Sequence, residues 1–475
     1  MKTLRIISIL LVAIMLFCTL ASCKKDGLSD DSSDGDTVVS SDVTQNGDAP
    51  IPIKEDFEGY QFKVLTRKGG DWMSNDITAE LSGNAVDQAV YIRNEKLKSK
   101  YNFSIVETKD ADYLNTAQTL GAAGQYEYDM WSFKMNDIPS LGQEGYVYNL
   151  NKVSGINLDA PYYDQNTRKM GSFANYLFFI TGDMLTMDDL ATCICLFDLN
   201  MWEELKLTDK YGKTLYQLVD DKEWTFEKFK VLAETATTNL DGDSDMDAND
   251  RYGVFIQNSH VFNFNVGMGN SLLLKDADDV FYLNEDSGLI TDLQDIISFM
   301  ISSSTYTDED LFYKGRQLFD LLTISKMPDL NSRDIEYGVV PTPMGSDDQE
   351  SYYSFISTYG SNCITICSTV KDVDLTANII ELISYESMNS VTPELKNFLL
   401  GGRILNKADD ARMLEIILNT KTYELSYLWN TGSLYATLRT LVDTKSTNVA
   451  SAFAESREPV KASVARKLER VSRLP

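Results

Sequence analysis

An acidic segment has the residue types and the spacing of a calcium-binding loop. Oxygen-bearing side chains stand at positions 1, 3, 5, 7, 9 and 12 of the frame 239–250, and these are Asn239, Asp241, Asp243, Asp245, Asp247 and Asp250. A hard divalent cation takes about six to eight oxygens, which this spacing brings around one curled backbone. Ser244 departs from the pattern where glycine is usual, as does Asp250 where glutamate is usual. We predict a structural Ca2+ here, with a solvated acidic turn as the alternative.

The chain offers little for nucleophilic catalysis. Its one histidine is His260, and nothing around it resembles a nucleophile motif. Cys193 and Cys195 lie two apart and Cys363 and Cys367 four apart, so neither pair has the spacing of a zinc ribbon or a redox Cys-x-x-Cys. Buried thiols and a disulfide between the two segments are both open.

The first residues predict export and a lipid anchor. Lys2 and Arg5 precede an apolar run too short to span a bilayer comfortably, and residues 20–22, Leu-Ala-Ser, precede Cys23. This resembles a bacterial lipobox, in which the cysteine is lipidated. We therefore expect a signal peptide at 1–22, a lipidated Cys23 that begins an acidic tether at 23–55, and a protein held on the extracellular face of the cell membrane. An ordinary secretory signal is the alternative.

Length and charge limit the architecture and the partners. About 450 residues remain after the signal, which is more than one hydrophobic core usually supports, so two lobes are expected. The formal net charge of -28 argues against nucleic acid and anionic lipid surfaces as partners. No second apolar run is long enough to cross a membrane, and we expect a monomer.

Helical and strand-like patterns alternate in the first third of the folded region. Strands are predicted at 62–66, 103–107 and 128–133, and helices at 86–98 and 114–120. This order predicts a parallel sheet covered by helices, whose ligands bind beyond the carboxyl ends of the strands. Further strands are predicted at 176–180, 193–197, 335–340 and 361–367. A helix capped by Thr225 is expected, and a last third that is mainly helical with Pro459 opening the final helix.

Several short motifs resemble one family when they are taken in order. The segments that carry the resemblance are Arg93-Asn94-Glu95-Lys96, Gly145 to Leu150, Phe197-Asp198-Leu199-Asn200, Trp224-Thr225-Phe226-Glu227, Asp250-Arg251-Tyr252-Gly253, Tyr337 to Pro341, Tyr385-Glu386-Ser387 and Tyr423-Glu424-Leu425. Together they resemble the extracellular solute-binding proteins of family 1. These are the lipid-anchored receptors of bacterial ABC importers, here in the long form common among clostridia.

The resemblance implies an α/β fold of the two-lobe periplasmic-binding-protein type (type II). Each lobe is a helix-covered, mostly parallel sheet, and hinge strands join the two. By analogy the first lobe holds 56–150 plus 320–360 and the second holds 151–319 plus 361–475, with crossings near Leu150, Leu318 and Tyr359. The implied function is capture of a small solute, most commonly a sugar or oligosaccharide, and its delivery to an ABC permease without chemistry.

Sugar binding requires aromatic faces for ring C–H surfaces and polar groups for hydroxyls. The residues predicted to face such a cleft are Arg67, Trp72, Trp131, Asp183, Tyr359 and Trp429. Core packing is the alternative for each aromatic residue, and Trp72 is the strongest candidate because it follows a polar Gly-Gly-Asp segment. The alternative function is an exported carbohydrate-active hydrolase that uses a carboxylate pair.

Overall fold

Two β-sheets organise the chain. A computed structural model describes residues 49–70, 74–243, 245–331, 333, 335–400 and 408–474. The strands are β1 Tyr60–Arg67, β2 Phe103–Asp110, β3 Met130–Lys134, β4 Cys193–Asp198, β5 Tyr252–Phe255, β6 Leu273–Lys275, β7 Phe281–Leu283, β8 Thr305–Tyr306, β9 Gln317–Thr323, β10 Tyr337–Val340, β11 Ser354–Phe355, β12 Asn362–Ile366 and β13 Lys421–Thr422.

Helices connect and cover these strands. They are α1 Ala85–Tyr101, α2 Tyr113–Ala123, α3 Ile138–Gln143, α4 Gln165–Gly171, α5 Met187–Leu190, α6 Leu199–Glu204, α7 Leu207–Tyr211, α8 Leu215–Asp220, α9 Phe226–Ala236, α10 His260–Gly267, α11 Ser287–Met300, α12 Met327–Asn331, α13 Val373–Leu400, α14 Ala408–Asn419, α15 Leu425–Leu428, α16 Leu434–Asp443 and α17 Val449–Val471. Within the described residues, no helix is both long enough and apolar enough to cross a bilayer.

The first sheet has the strand order β12-β3-β1-β2. β1 is parallel to β2 and to β3, while β12 runs antiparallel to β3. Phe62 and Val64 alternate along β1 and are fully buried on one face, as period-2 patterning requires of a covered sheet. The predicted strand–helix–strand–helix–strand order is confirmed, because β1, α1, β2, α2 and β3 overlap the predicted segments.

The second sheet has the order β10-β4-β9-β5-β8 and is mixed. β5 is parallel to both β8 and β9, but β4 runs antiparallel to its neighbours β9 and β10. The expectation of a mostly parallel sheet therefore holds for the first sheet only. The α/β class and the presence of two main sheets are confirmed, and β6 with β7 and β11 with β13 form two further sheets of two strands each.

The strands divide between the sheets differently from the expected lobe boundaries. β9 and β10 lie within 317–340 and belong to the second sheet, whereas β12 at 362–366 belongs to the first. The assignment of 320–360 to the first lobe and of 361 onward to the second is corrected accordingly. Leu318 lies inside β9, so no crossing occurs there, while Leu150 and Tyr359 do lie in segments that connect the two sheets.

Helix α13 packs against both sheets. Its first half buries Ile379 and Ile383 in the core of the first sheet, with Phe62 and Ile364. Its second half buries Leu395 with strand residues of the second sheet. At 1.5 Å per residue a helix of this length is about 40 Å long, enough to reach from one core to the other.

Other local predictions have mixed outcomes. Thr225 is the N-cap of α9, as predicted, because its hydroxyl accepts a hydrogen bond from Lys228 N at 3.3 Å. The predicted strand at 176–180 is only a buried extended segment with isolated bridges, one of them between Ile180 and Ile364. Pro459 lies within α17 rather than at its start, although the apolar stripe around Val460 and Val464 does dock on the core.

Candidate ligand-binding cleft

A cavity of about 700 Å³ lies at one edge of the second sheet. Its lining includes Phe255 and Thr323, the last residues of the parallel strands β5 and β9. It also includes Cys193, which begins the antiparallel strand β4 and pairs with Thr323. This large cavity therefore lies at the carboxyl ends of the parallel strands, where open α/β sheets bind ligands, and its volume suits a small ligand.

Stacked aromatic rings form one wall of the large cavity. Tyr427 and Tyr435 line it with ring centroids 4.0 Å apart and ring planes within 12° of each other. Phe262 continues the stack behind Tyr435 at 4.4 Å. Tyr313 and Tyr359 add rings from other segments, and Tyr359 is 54% exposed. Such rings present flat apolar faces beside polar hydroxyls.

The same cavity contains fixed polar groups. Gln257, Asn263 and Arg439 line it. Arg439 is held in place because its Nε donates to Asn258 Oδ1 at 2.7 Å, and Asn258 in turn donates to Asp443. A polar group that is fixed before the ligand arrives loses little conformational entropy on binding.

The histidine and the cysteine that line the large cavity are not activated for nucleophilic catalysis. His260 lines it, but burial lowers the pKa of the imidazole to about 4, so the ring is neutral near pH 7. Burial raises the pKa of the Cys193 thiol to about 12, which leaves it un-ionised and unreactive. All four described cysteines are buried free thiols, as one of the two alternatives expected.

A smaller cavity of about 370 Å³ lies at the corresponding edge of the first sheet. Thr66 and Arg67 at the end of β1, Ser132 of β3 and Asn362 at the start of β12 line it. Among the described atoms, Asn362 Oδ1 is buried and has no hydrogen-bond partner. Asp76 Oδ2 in the same cavity is also buried without one. Buried acceptors of this kind need donors, because each unpaired group costs free energy.

The segment 357–362 joins the two cavities. Ser357 and Tyr359 line the large cavity, and Asn362 lines the small one. Arg67 reaches across from β1, with Nη1 donating to Tyr359 O at 3.1 Å and Nη2 donating to Gly360 O at 2.5 Å. This segment therefore borders both cavities, which together are called the cleft.

Two of the predicted site residues lie at the cleft. Arg67 is 5% exposed and holds the joining segment through its guanidinium group, a positioning contact that the sequence did not reveal. Tyr359 presents its ring to the large cavity, with Lys134 Nζ 4.1 Å from the ring centroid. Trp72 lies outside the described residues.

The other three predicted residues do not line either cavity. Trp131 is in the middle of β3, 1% exposed and stacked on Phe133, so it is a core residue. Trp429 is 2% exposed and packs against Phe173 and other rings. Both predictions are corrected, because a fully buried indole has no face left for a ligand. Asp183 accepts a hydrogen bond from Thr392, and burial raises its pKa to about 6.

The structure adds cavity-lining candidates that sequence reasoning missed. They are Gln257, Asn263, Asp310, Tyr313, Asp320, Tyr427, Tyr435 and Arg439. The sequence pattern indicates one of them, because Asp320 is a single carboxylate in the apolar strand Leu318-Phe319-Asp320-Leu321-Leu322. A charge in such a strand must be paired, protonated or functional.

The acidic segment 239–250 is closed by its own hydrogen bonds. Asp250 Oδ1 accepts from Leu240 N at 2.7 Å and Oδ2 from Asp247 N at 2.9 Å. The Asn239 amide donates to the carbonyl oxygen of Asp245, which the calcium pattern directs toward the ion. Among the described residues, no three acidic, histidine or cysteine side chains come together as a metal site. In this arrangement the residues do not fit Ca2+, which would have to displace these hydrogen bonds.

Chelation distinguishes the two interpretations of this segment. The Ca2+ prediction requires EDTA to lower the melting temperature and added Ca2+ to restore it, because an ion bound only to the folded state stabilises that state. Differential scanning calorimetry of the wild type and of Asp243→Asn measures this, and the variant should not respond. An unchanged melting temperature in the wild type would contradict the Ca2+ prediction and favour the alternative, a solvated acidic turn.

Comparison with known proteins shows the fold. No sequence-family profile matches the chain, and no curated protein matches it in sequence. An ABC substrate-binding protein from Listeria monocytogenes, solved in complex with cycloalternan, has a TM-score of 0.54 at 11% identity and covers 86% of this chain and 99% of its own. The GacH receptor of Streptomyces glaucescens, solved unliganded and with acarbose, has a TM-score of 0.52 at 11% identity, covering 88% of this chain and 100% of its own.

A third structure agrees with these two. UspC of M. tuberculosis has a TM-score of 0.54 at 12% identity and covers 84% of this chain and 100% of its own. The likeness spans most of the described residues, so the two-sheet architecture is that of the two-lobe substrate-binding proteins. Identities this low show the fold, whereas the ligand has to be argued from the cleft.

Proposed function

We propose that this protein is an extracellular solute-binding protein that captures a sugar or oligosaccharide in the cleft and delivers it to an ABC permease. The fold supports this role, since the similar proteins from Listeria monocytogenes and Streptomyces glaucescens were solved with cycloalternan and with acarbose. The observation that carries the proposal is the pairing of aromatic faces in the large cavity with unpartnered buried acceptors in the small one.

A carbohydrate matches both halves of this cleft. The C–H faces of pyranose rings pack against aromatic side chains, and Tyr427 and Tyr359 provide such rings in the large cavity. The ring hydroxyls are hydrogen-bond donors. Neither Asp76 Oδ2 nor Asn362 Oδ1 has a donor among the described residues. A purely apolar ligand would leave these acceptors buried and unpaired, so it would bind less well.

A hydrolase is the alternative, and the arrangement of the carboxyl groups argues against it. Glycoside hydrolysis uses two carboxyl groups that face each other across the sugar, about 5 to 10 Å apart. In the large cavity, the carboxyl groups of buried Asp320 and partly buried Asp310 influence each other electrostatically instead. Such a pair does not flank a scissile bond, so we propose binding without catalysis.

Removing the Tyr359 ring tests the aromatic wall. Tyr359→Ala is expected to weaken carbohydrate binding by about tenfold, because one stacking face is lost. Tyr353→Ala is the matched control, since Tyr353 is also exposed, at 38%, but does not line the large cavity. Isothermal titration calorimetry against a panel of mono- and oligosaccharides measures both variants. Equal carbohydrate affinities for the two variants would show that Tyr359 is not part of the binding site.

A lipid anchor at Cys23 forms part of the proposal. Cys23 lies outside the described residues, and the Leu-Ala-Ser-Cys sequence with the polar segment after it supports the anchor. Cys23→Ala is expected to move the protein from the membrane fraction to the soluble fraction of expressing cells. Cys18→Ala, within the apolar run, is the matched control and should stay membrane-bound. A Cys23→Ala protein that remained in the membrane fraction would exclude this anchor.

A further inference from the structure

A third cavity, called the side cavity, lies next to the large cavity and has a volume of about 640 Å³. Four residues line both cavities, and these are Phe255, Gln257, Ser259 and Arg439. The first three lie at the end of β5 and in the turn before α10, and Arg439 lies on α16. The large cavity and the side cavity therefore border each other along this turn and along α16.

The boundary between these two cavities is held by a chain of hydrogen bonds. Arg439 Nε donates to Asn258 Oδ1 at 2.7 Å. The amide nitrogen of Asn258 donates in turn to Asp443 Oδ1 at 2.8 Å and to Asp443 Oδ2 at 2.9 Å. Because Arg439 and Asp443 both lie on α16, these bonds connect the helix to the turn at 256–259. A wall that is fixed in this way loses little conformational entropy when a ligand binds against it.

Two side chains on this boundary have hydrogen-bonding capacity left for a ligand. Gln257 and Ser259 accept through their backbone carbonyl oxygens, from His260 N at 2.9 Å and from Phe262 N at 3.1 Å. Within the ranges that the structure describes, neither side chain forms a hydrogen bond to another residue. An amide and a hydroxyl group can each donate and accept, as sugar hydroxyls can. Both side chains can therefore pair with a sugar that lies across the boundary.

The rest of the side-cavity lining favours a neutral ligand that carries hydroxyl groups. The charges of its described lining balance, because it includes two cations and two anions, Arg439, Lys445, Asp308 and Asp443. Three hydroxyl side chains also line it, Ser302, Thr305 and Thr307. An apolar group would desolvate these polar atoms without replacing their hydrogen bonds to water. A charged group would meet no net opposite charge.

We propose that the side cavity is a further binding subsite, and that the solute is an oligosaccharide whose chain runs from the large cavity across Gln257, Ser259 and Arg439 into the side cavity. This inference rests on the proposed function and specifies the length of its ligand. Each of the two cavities alone lies within the range of roughly 300–1,000 Å³ that one drug-sized ligand fills. A disaccharide in the large cavity would leave the side cavity to water, so only a longer chain gains the contacts there.

The dependence of affinity on chain length tests this subsite. The probes are the disaccharides to hexasaccharides of the malto, cello, xylo and manno series, titrated into the purified protein by isothermal titration calorimetry. In a series that binds, the longest chains are expected to bind about tenfold more tightly than the disaccharide, because only they reach the side cavity.

Blocking variants show whether the gain with length comes from the side cavity. Thr307→Trp puts an indole there and leaves the large cavity intact, because Thr307 is exposed and lines the side cavity alone of the two. It should abolish the gain with length and leave the disaccharide affinity unchanged. Ser302→Trp, at a half-buried position of the same cavity, is the second blocking variant. Thr291→Trp is the matched control, since Thr291 is an exposed residue of α11 outside the described lining of both cavities, and it should retain the gain.

The other outcomes separate this inference from the proposed function. Equal affinity at all chain lengths, or a gain with length that both blocking variants retain, would overturn the inference while the proposed function stands. Binding of monosaccharides alone would have the same consequence. Failure of every carbohydrate, monosaccharides included, would overturn both.

Discussion

Replacing Lys421 with methionine is expected to lower the free energy of unfolding by about 3–5 kcal/mol. Lys421 opens β13, and its side chain is 14% exposed. Its Nζ lies 3.1 Å from Asp188 Oδ2, 3.9 Å from Asp164 Oδ2, and in direct contact with Asp189. Burial alone would lower the pKa of Lys421, but the carboxylates outweigh it and raise the pKa. Without the ammonium group these carboxylates would be buried and uncompensated.

The position of the cluster formed by Lys421, Asp164, Asp188 and Asp189 adds to its importance. β13 pairs with β11, which leads directly into the 357–362 segment that joins the two cavities. Urea denaturation followed by circular dichroism measures the loss of stability. Lys461→Met is the matched control, because Lys461 pairs with Glu458 at the surface, with both side chains mostly exposed, and such pairs contribute little. Similar midpoints for both variants would show that the cluster does not stabilise the fold.

Replacing Arg93 with methionine is expected to have an effect of the same size, about 3–5 kcal/mol. Arg93 lies on α1 and is 0% exposed. Its Nη2 donates to Asp76 O at 2.9 Å and Ile77 O at 3.0 Å, and Nη1 donates to Ser387 Oγ on α13 at 3.0 Å. Loss of the guanidinium group would leave these acceptors without donors and expose the interface of α1 with α13 to water.

Two comparison variants separate charge from geometry at this position. Arg93→Lys keeps the charge but not the planar fork, so it should recover only part of the stability. Arg412→Met removes a half-exposed arginine that pairs with Asp220, and it should cost less than about 1 kcal/mol. Full recovery by lysine would show that charge alone matters at Arg93. A loss no larger than that of Arg412→Met would contradict the buried role.

The α/β class could be predicted from the sequence because the residue patterns that indicate it are local. The alternation around Phe62 and Val64, the helix over 86–98 and the Thr225 cap depend on neighbouring residues, and all appear in the structure. The sheet membership of β9, β10 and β12 depends on pairing between distant strands. Residue patterns give no information about such pairing, so the lobe boundaries were wrong in those segments.

Sequence analysis predicted only part of the candidate site, for a related reason. Tyr359 was predicted because the resemblance places it at a crossing between the lobes, whereas Trp131 lies in a strand that proved to be buried on both faces. Tyr427 and Asp310 come from segments more than a hundred residues apart that meet only in the fold. The lone carboxylate of Asp320 in an apolar strand was the one signal that sequence analysis overlooked.

Titration of residues 24–475 with a carbohydrate panel, with chromatography of the ligand afterward, tests solute capture most directly. A binding protein that performs no chemistry should give saturable one-to-one binding to at least one carbohydrate, and the ligand should be recovered at its original length. Saturating ligand at about one hundred times Kd should also stabilise the fold by about 2.7 kcal/mol. No binding across the panel, or the appearance of shortened products, would contradict the proposed function.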